Sequence, residues 1–180
     1  ATLQNSLLRF HVHPTSGAID NMADLELGRA IDTLGTWRGV ERRDSAGHIN
    51  RLQVLWETPH TMSAWNIGDI TRIDNLVTGA QVRVIERGPV RATVEVSRAF
   101  LNSSITQRYH LYAGMRRIDI DTELDWHESG GKDKDAPMLR ATFKPRLGPG
   151  TATFEVPFAG LERVADGDEV PALRWSDVSD

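Results

Sequence analysis

The chain has 180 residues, 39% of them hydrophobic and 26% charged, a balance that suits one globular domain and argues against wholesale disorder. Its formal net charge is −4, and its basic residues are scattered (pairs at Arg42-Arg43 and Arg116-Arg117, no stripe), which argues against nucleic-acid or anionic-membrane partners. No apolar run approaches the roughly 18–20 residues that span a bilayer, and the absence of cysteine excludes disulfides and thiolate metal sites.

With no basic-then-apolar leader and no cysteine, a cytoplasmic setting is expected. The opening at Ala1 and the close on Trp175-Ser-Asp-Val-Ser-Asp180 lead to the expectation of a segment of a longer protein.

Taken in chain order, the hydrophobic period is two almost everywhere. Leu8 to His13 alternates apolar and polar residues, and Pro14-Thr15-Ser16-Gly17 supplies turn chemistry before Ala18-Ile19, so Leu7–Ile19 reads as a hairpin. The stretch Met22–Arg43 is less regular, and Gly28, Gly35 and Gly39 argue against a long helix. A strand is expected over Leu52–Trp56, ended by Pro59, followed by a long aromatic loop from His60 to Leu76.

The strongest strand signals come next. Val82–Ile85 leads through Gly88-Pro89 into Val90–Ser97, with Val90, Ala92, Val94 and Val96 on one face. Asn102-Ser103 turns into Ile105–Tyr112, and Ala113-Gly114 turns into Ile118–Trp126. These strands predict an antiparallel meander. The polar run from Gly130 to Asp135 reads as an exposed, mobile loop. Leu139–Phe143 and Ala152–Val156 are two further strands, separated by Pro145 and the Gly148-Pro149-Gly150 turn. No composition break divides the chain, so residues 1–180 read as one all-β sandwich segment.

Four constellations bear on chemistry. His11 and His13 share a strand face and so could meet one metal ion, but no third ligand lies nearby and two surface imidazoles are the favoured reading. His60, His110 and His127 are scattered and read as structural or surface residues. Asp119, Asp121, Glu123 and Asp125 form an acidic row. This is either a carboxylate or hard-metal site or, as favoured here, a solvated face whose charges meet Arg83, Arg91 and Arg108 across the sheet. Trp37, Trp56, Trp65, Trp126 and Trp175 include possible sugar-stacking faces. Trp126 reads as core, whereas Trp65 and Asp69 lie in the long loop and are the candidate sugar-binding residues.

The order of several motifs resembles the β-rich C-terminal half of glycoside hydrolase family 38, the retaining α-mannosidases. The resemblance is carried by Asn5-Ser-Leu-Leu-Arg-Phe10 with Pro14-Thr-Ser-Gly-Ala-Ile19, by Asn50-Arg-Leu-Gln-Val-Leu55 with Pro59 and Ser63-Ala-Trp65, and by Glu86-Arg-Gly-Pro-Val-Arg-Ala92. It continues through Ile105-Thr-Gln-Arg108, Leu111-Tyr-Ala-Gly-Met-Arg-Arg-Ile-Asp119, Asp125-Trp-His-Glu128 and Ala152-Thr-Phe-Glu-Val-Pro-Phe158. Many members carry an acidic residue on each side of the Ala-Trp pair, where this chain has Ser63 and Asn66, so no acidic role is carried over there.

The resemblance implies a β-supersandwich like the galactose-mutarotase fold, packed against a separate N-terminal domain that holds a zinc ion and the catalytic carboxylates. It implies α-mannoside glycans as the partner of the parent enzyme, and no catalytic or metal-binding residue within this chain. A free-standing carbohydrate-binding sandwich without hydrolase activity is the alternative. Bare strand edges are expected to invite pairing with another copy.

Overall fold

The computed structural model describes residues 1–31, 48–62, 65–145, 151–164 and 169–179. Trp37, Ser63, Ala64 and the Gly148-Pro149-Gly150 turn lie outside the described residues. Two compact units divide the chain, Ala1–Pro145 and Arg146–Asp180. Every described strand pairing is antiparallel, and among the described residues no helix is long and apolar enough to cross a membrane.

The first unit is a sandwich of two sheets. The larger has β1 (Thr2–Gln4), β2 (Leu8–Val12), β3 (Ile19–Asp24), β5 (Ile49–Glu57) and β11 (Ala136–Phe143) in that order, with β4 (Arg29–Ala30) paired to β3 and β6 (Ile70–Asn75) to β5. The smaller is the meander β10 (Ile118–Asp125), β9 (Ser103–Tyr112), β8 (Arg91–Phe100), β7 (Gln81–Arg87).

Alternation is what aims the side chains. On β2, Leu8, Phe10 and Val12 are buried while Arg9 and His11 face outward. They meet Ile19 and Ile49 of their own sheet and Val94, Val96, Tyr109 and Leu111 of the other, forming the main core. A second cluster gathers Leu52, Val54, Phe100 and Ile105, with Trp56, Trp126 and Leu139 against it. Trp126 and Phe100 pack with ring centroids 6.1 Å apart, as the core reading of Trp126 expects.

Polar side chains occupy inner positions as well. The i, i+2 series of β8 runs Val94, Val96, Arg98, Phe100, all buried. Arg98 donates to the carbonyl of Leu76 at 2.6 Å and to that of Ser16. Asn50 donates to Gln107 at 3.1 Å and to the Tyr109 hydroxyl at 2.8 Å, and that hydroxyl donates to the Gly17 carbonyl at 2.8 Å. Burial pushes the Tyr109 phenol up to about 12. The network fastens the Pro14–Gly17 turn onto the sandwich.

Two expectations need correction. The loop predicted from His60 to Leu76 ends at Asp69, because β6 pairs with β5 from Ile70 onward. Both faces of β6 are largely wet, so the segment lacks the alternation that marks a half-buried strand. Val90 does not join the core: β8 begins one residue later and Val90 is 70% exposed. The run from Gly130 to Asp135 is an exposed connection, as expected, and within it a turn is bridged between Gly131 and Lys134, while Thr71 donates to Asp135 at 2.7 Å.

The second unit is a three-stranded sheet, β13 (Ala159–Arg163), β12 (Thr151–Val156), β14 (Ser176–Ser179). Glu155 is buried within it and accepts from Arg174, both from its backbone N–H at 2.7 Å and from its guanidinium at 2.5 Å.

Candidate functional site

Strand β5 ends at Glu57, where the ladders to β11 and β6 end as well, with Glu57 opposite Ala136 and Ile70. Residues 58–62 and 65–69 then lie outside the sheet, and their neck is closed by Thr58 N–H donating to the Asp69 carbonyl at 2.9 Å. Glu57 staples that neck from within. Its Oε1 accepts from Gly68 N–H at 2.5 Å and lies 2.8 Å from His60 Nε2.

His60 Nδ1 accepts from Met62 N–H at 3.2 Å, which places the imidazole proton on Nε2, facing the carboxylate. A Cβ on residue 68 would stand 2.7 Å from the His60 ring and 3.3 Å from Glu57 Oε1, so a larger residue there would displace the His60 ring. The Gly68 N–H, followed by His60, holds the Glu57 carboxyl below its ordinary range.

Beside this neck lies a cavity of about 540 Å³ lined by Glu57, Pro59, His60, Thr61, Gly130, Gly131, Lys132 and Ala136. Its volume falls in the range of about 300–1,000 Å³ usual for small-molecule sites. One wall is the loop after β5, and the other is the turn that the sequence marks only as polar. A Cβ on Gly130 would stand 2.6 Å from Ala136 Cβ, so glycine lets that turn close against β11.

The candidate residues Trp65 and Asp69 sit on this loop but do not line the cavity. Trp65 is 80% exposed at the loop's outer turn, where its N–H donates to the Met62 carbonyl at 2.8 Å. Asp69 contributes its backbone carbonyl to the neck. Glu57, His60, Thr61 and Lys132 are the lining groups that sequence reading did not bring together. Glu57 lies next to the strand predicted to end at Trp56; its partners His60 and Gly68 stand 3 and 11 residues further on, and no local pattern signals them.

The other constellations resolve into pairs. His11 Nδ1 lies 2.6 Å from Asp20 Oδ1, whereas His13 Nδ1 accepts from Ser16 N–H at 3.3 Å. Along β10, Asp119 pairs with Arg117, Asp121 with His110, Glu123 with Arg108, and Asp125 with His127. Of the three arginines expected to face the row, only Arg108 does so. Arg83 pairs with Glu95, and Arg91 pairs with Glu86.

Trp56 donates to Asp74 at 2.7 Å and lies under Arg72, 4.4 Å from ring centroid to guanidinium carbon, so its face is taken. Thr93, His110 and Asp121 line up with spacings of 2.9 and 3.1 Å, but the Thr93 hydroxyl is buried and already donates to Glu86 at 2.6 Å, so it presents no accessible nucleophile. Among the described residues no group of three His, Asp or Glu side chains could hold a metal ion.

Residues 3–180 match the family described as "Glycosyl hydrolases family 38 C-terminal domain". The chain is also 25% identical over 146 residues to a protein named "Alpha-mannosidase G" from Dictyostelium discoideum, a match covering 73% of this chain and 13% of that protein. It thus spans a small fraction of the length of the relative it resembles.

Proposed function

The chain belongs to glycosyl hydrolase family 38 as part of the C-terminal domain, and from that footing we propose that it is the non-catalytic β-sandwich portion of a retaining, zinc-dependent α-mannosidase acting on terminal α-mannosides. The match across residues 3–180 is the observation that carries this reading. A retaining glycosidase needs two carboxyl groups about 5 Å apart, one as nucleophile and one as acid/base. The acidic row of β10 is a poor source for them, since each member is matched to its own cation or histidine.

Zinc, nucleophile and acid/base are accordingly assigned to a separate N-terminal catalytic domain, against which this sandwich packs. The loop at residues 58–69 flanks the sugar pocket. Trp65 supports that role because its exposed ring is free to lie against a pyranose face, and Asp69 sits at the neck of the same loop. The outer edges of β1, β7 and β10 have no partner strand among the described residues, and they are the proposed places for pairing with the rest of the parent or with another copy.

The test compares the 180-residue chain with the intact gene product on an aryl α-mannoside, with added zinc and with a chelator. The intact protein is expected to turn over and to lose activity on chelation, while the chain alone stays inert at every zinc concentration. Hydrolysis by the chain alone refutes the reading.

A further inference from the structure

We propose that a further β-strand of the parent protein pairs with the free edge of β10 and fills the mouth between β10 and β11, with apolar side chains turned into the mouth and uncharged or basic ones turned away. The proposal rests on the reading of this chain as one portion of a longer family 38 enzyme, and it narrows the bare strand edges to one side of the sandwich.

A cavity of about 320 Å³ lies between the two sheets on this side. Its lining residues stand two apart on their strands, Leu139, Ala141 and Phe143 on β11 and Ile120 and Thr122 on β10, as inner-face positions must. These inner faces are wet. Phe143 is 56% exposed, and Leu124, next in the β10 series, is 45% exposed. The opposite side of the same sandwich is closed: Leu3 of β1 is 4% exposed, and Val82 of β7 packs against the main core. The inner faces of a sandwich form its core, so apolar residues half in water there mark a layer of contact still to be supplied.

The walls define that layer. The polar lining groups bond one another, Asn50 Nδ2 donating to Gln107 Oε1 at 3.1 Å and Gln107 Nε2 to Thr122 Oγ1 at 3.2 Å, so the rest of the cavity suits apolar side chains. Both β10 and β11 end their sheets, but the two edges differ. Strand β11 carries Pro137 and a register shift at Thr142/Phe143, features that blunt an edge. Strand β10 pairs with β9 over eight residues without a shift, and its other edge is a regular row of donors and acceptors. A strand added there continues the sheet while every second side chain enters the mouth.

A second copy of this chain fits poorly. Joining two β10 edges antiparallel would set the rows of Asp119, Asp121, Glu123 and Asp125 side by side on one outer face, and like charges opposite each other destabilise a sheet. The same row favours a partner with basic residues on its outer face. The match to the relative covers 13% of that protein, which leaves ample chain outside the match to supply such a strand.

The experiment follows amide hydrogen exchange in the intact gene product. Residues 118–125 should exchange as slowly as those of β9, which is paired on both sides. Ala141→Phe fills the mouth, and it should speed that exchange about tenfold or more and lower Tm by about 2 °C or more. Ala99→Phe is the control: it places the same ring on the wet face of β8 and should leave both readouts unchanged.

Amides of β10 that exchange about tenfold faster than those of β9 overturn the proposal, as does an Ala141→Phe variant as stable as wild type. Protection of β10 that disappears on dilution, as a dimer dissociates, overturns it too, since another copy is then the occupant. Turnover of an aryl α-mannoside by the same intact protein separates the two readings. Activity with a fast-exchanging β10 refutes the added strand and leaves the enzyme reading in place; slow exchange without activity does the reverse.

Discussion

Gly17→Ala should be among the most damaging single-methyl additions in this sandwich, and its cost can be worked from geometry. Gly17 has φ +68°, a left-handed conformation that costs an L residue about 1–2 kcal/mol. Its hypothetical Cβ would also stand 2.3 Å from Val96 Cγ1 and 3.5 Å from Ala80 Cβ. Favourable carbon contacts lie at about 3.5–4.0 Å, so the overlap with Val96 exceeds 1 Å.

Neither side yields easily. Val96 is buried and stiff at χ1. Residue 17 is held by its N–H to the His13 carbonyl at 2.9 Å and by its carbonyl to Tyr109 at 2.8 Å, so moving it breaks buried bonds. Overpacking of this kind adds about 1–3 kcal/mol, for a total near 2–5 kcal/mol. Gly28→Ala and Gly79→Ala are the controls. Both glycines have positive φ, at +63° and +82°, with nothing within 4 Å of a new Cβ, so each should lose only about 1–2 kcal/mol.

Urea unfolding followed by tryptophan fluorescence measures all three. The double variant Gly17→Ala/Val96→Ala should recover the steric part, giving a coupling of at least about 1 kcal/mol. Equal losses at positions 17, 28 and 79, or no coupling with Val96, would refute the reasoning.

Tyr109→Phe should cost about 1–3 kcal/mol in the same assay, because the buried Gly17 carbonyl loses its donor while Asn50 keeps only Gln107; a loss under about 0.3 kcal/mol would mean water substitutes freely. His48 gives a pH signature. Burial, followed by the nearby Arg51, pushes its imidazole below the ordinary 6.5, and its Nδ1 is buried with no hydrogen-bond partner among the described residues. The unfolded chain therefore takes up the proton first, and His48's contribution is full above pH 6.5 and lost as the pH falls below it. Urea midpoints at pH 7.5 and about 5.5 should converge less for wild type than for His48→Gln, and parallel losses would sink the assignment. Glu57 works as a depressed carboxylate: its contribution is present above the ordinary 4.5 and disappears as the pH falls through its lowered value. Glu57→Gln should accordingly lower the melting temperature at pH 7, and the difference from wild type should shrink as the pH is taken progressively below 4.5, whereas a pH-independent difference would point to packing instead of charge.

The parts of this fold that were legible in sequence are those where one face of a strand is dry. Leu8, Phe10 and Val12 declare β2 because their neighbours Arg9 and His11 do not belong in a core, and Val94 and Val96 do the same for β8. Where both faces are wet, as along Ile70–Asn75, nothing in the pattern distinguishes an edge strand from a loop. Continuing the β8 alternation past Val96 lands on Arg98, whose charge reads as a strand end. The structure instead buries it against two carbonyls supplied by residues 16 and 76, a pairing that no local window contains. The acidic row was legible as a face, but its partners were not, because register decides whether Arg108 or Arg83 reaches a given carboxylate.

The same limit governs the candidate site and explains its position. Trp65 stands out in sequence because it is aromatic and lies among loop residues, whereas Glu57 looks like one more exposed acid at the end of a strand. What changes Glu57 is the sheet behind it. Strand β5 is paired on both sides, with its Leu52, Val54 and Leu55 buried, so its last residue is held by two ladders at the point where the chain turns away. A carboxylate there inherits the rigidity of the sheet and holds the neck of the loop through Gly68 and His60. Moving the same carboxylate one residue into the loop would keep its charge and lose its aim. Thr58→Glu combined with Glu57→Gln should therefore fail to restore the melting temperature that Glu57→Gln lowers at pH 7, and restoration would show that charge alone, without the ladder, suffices.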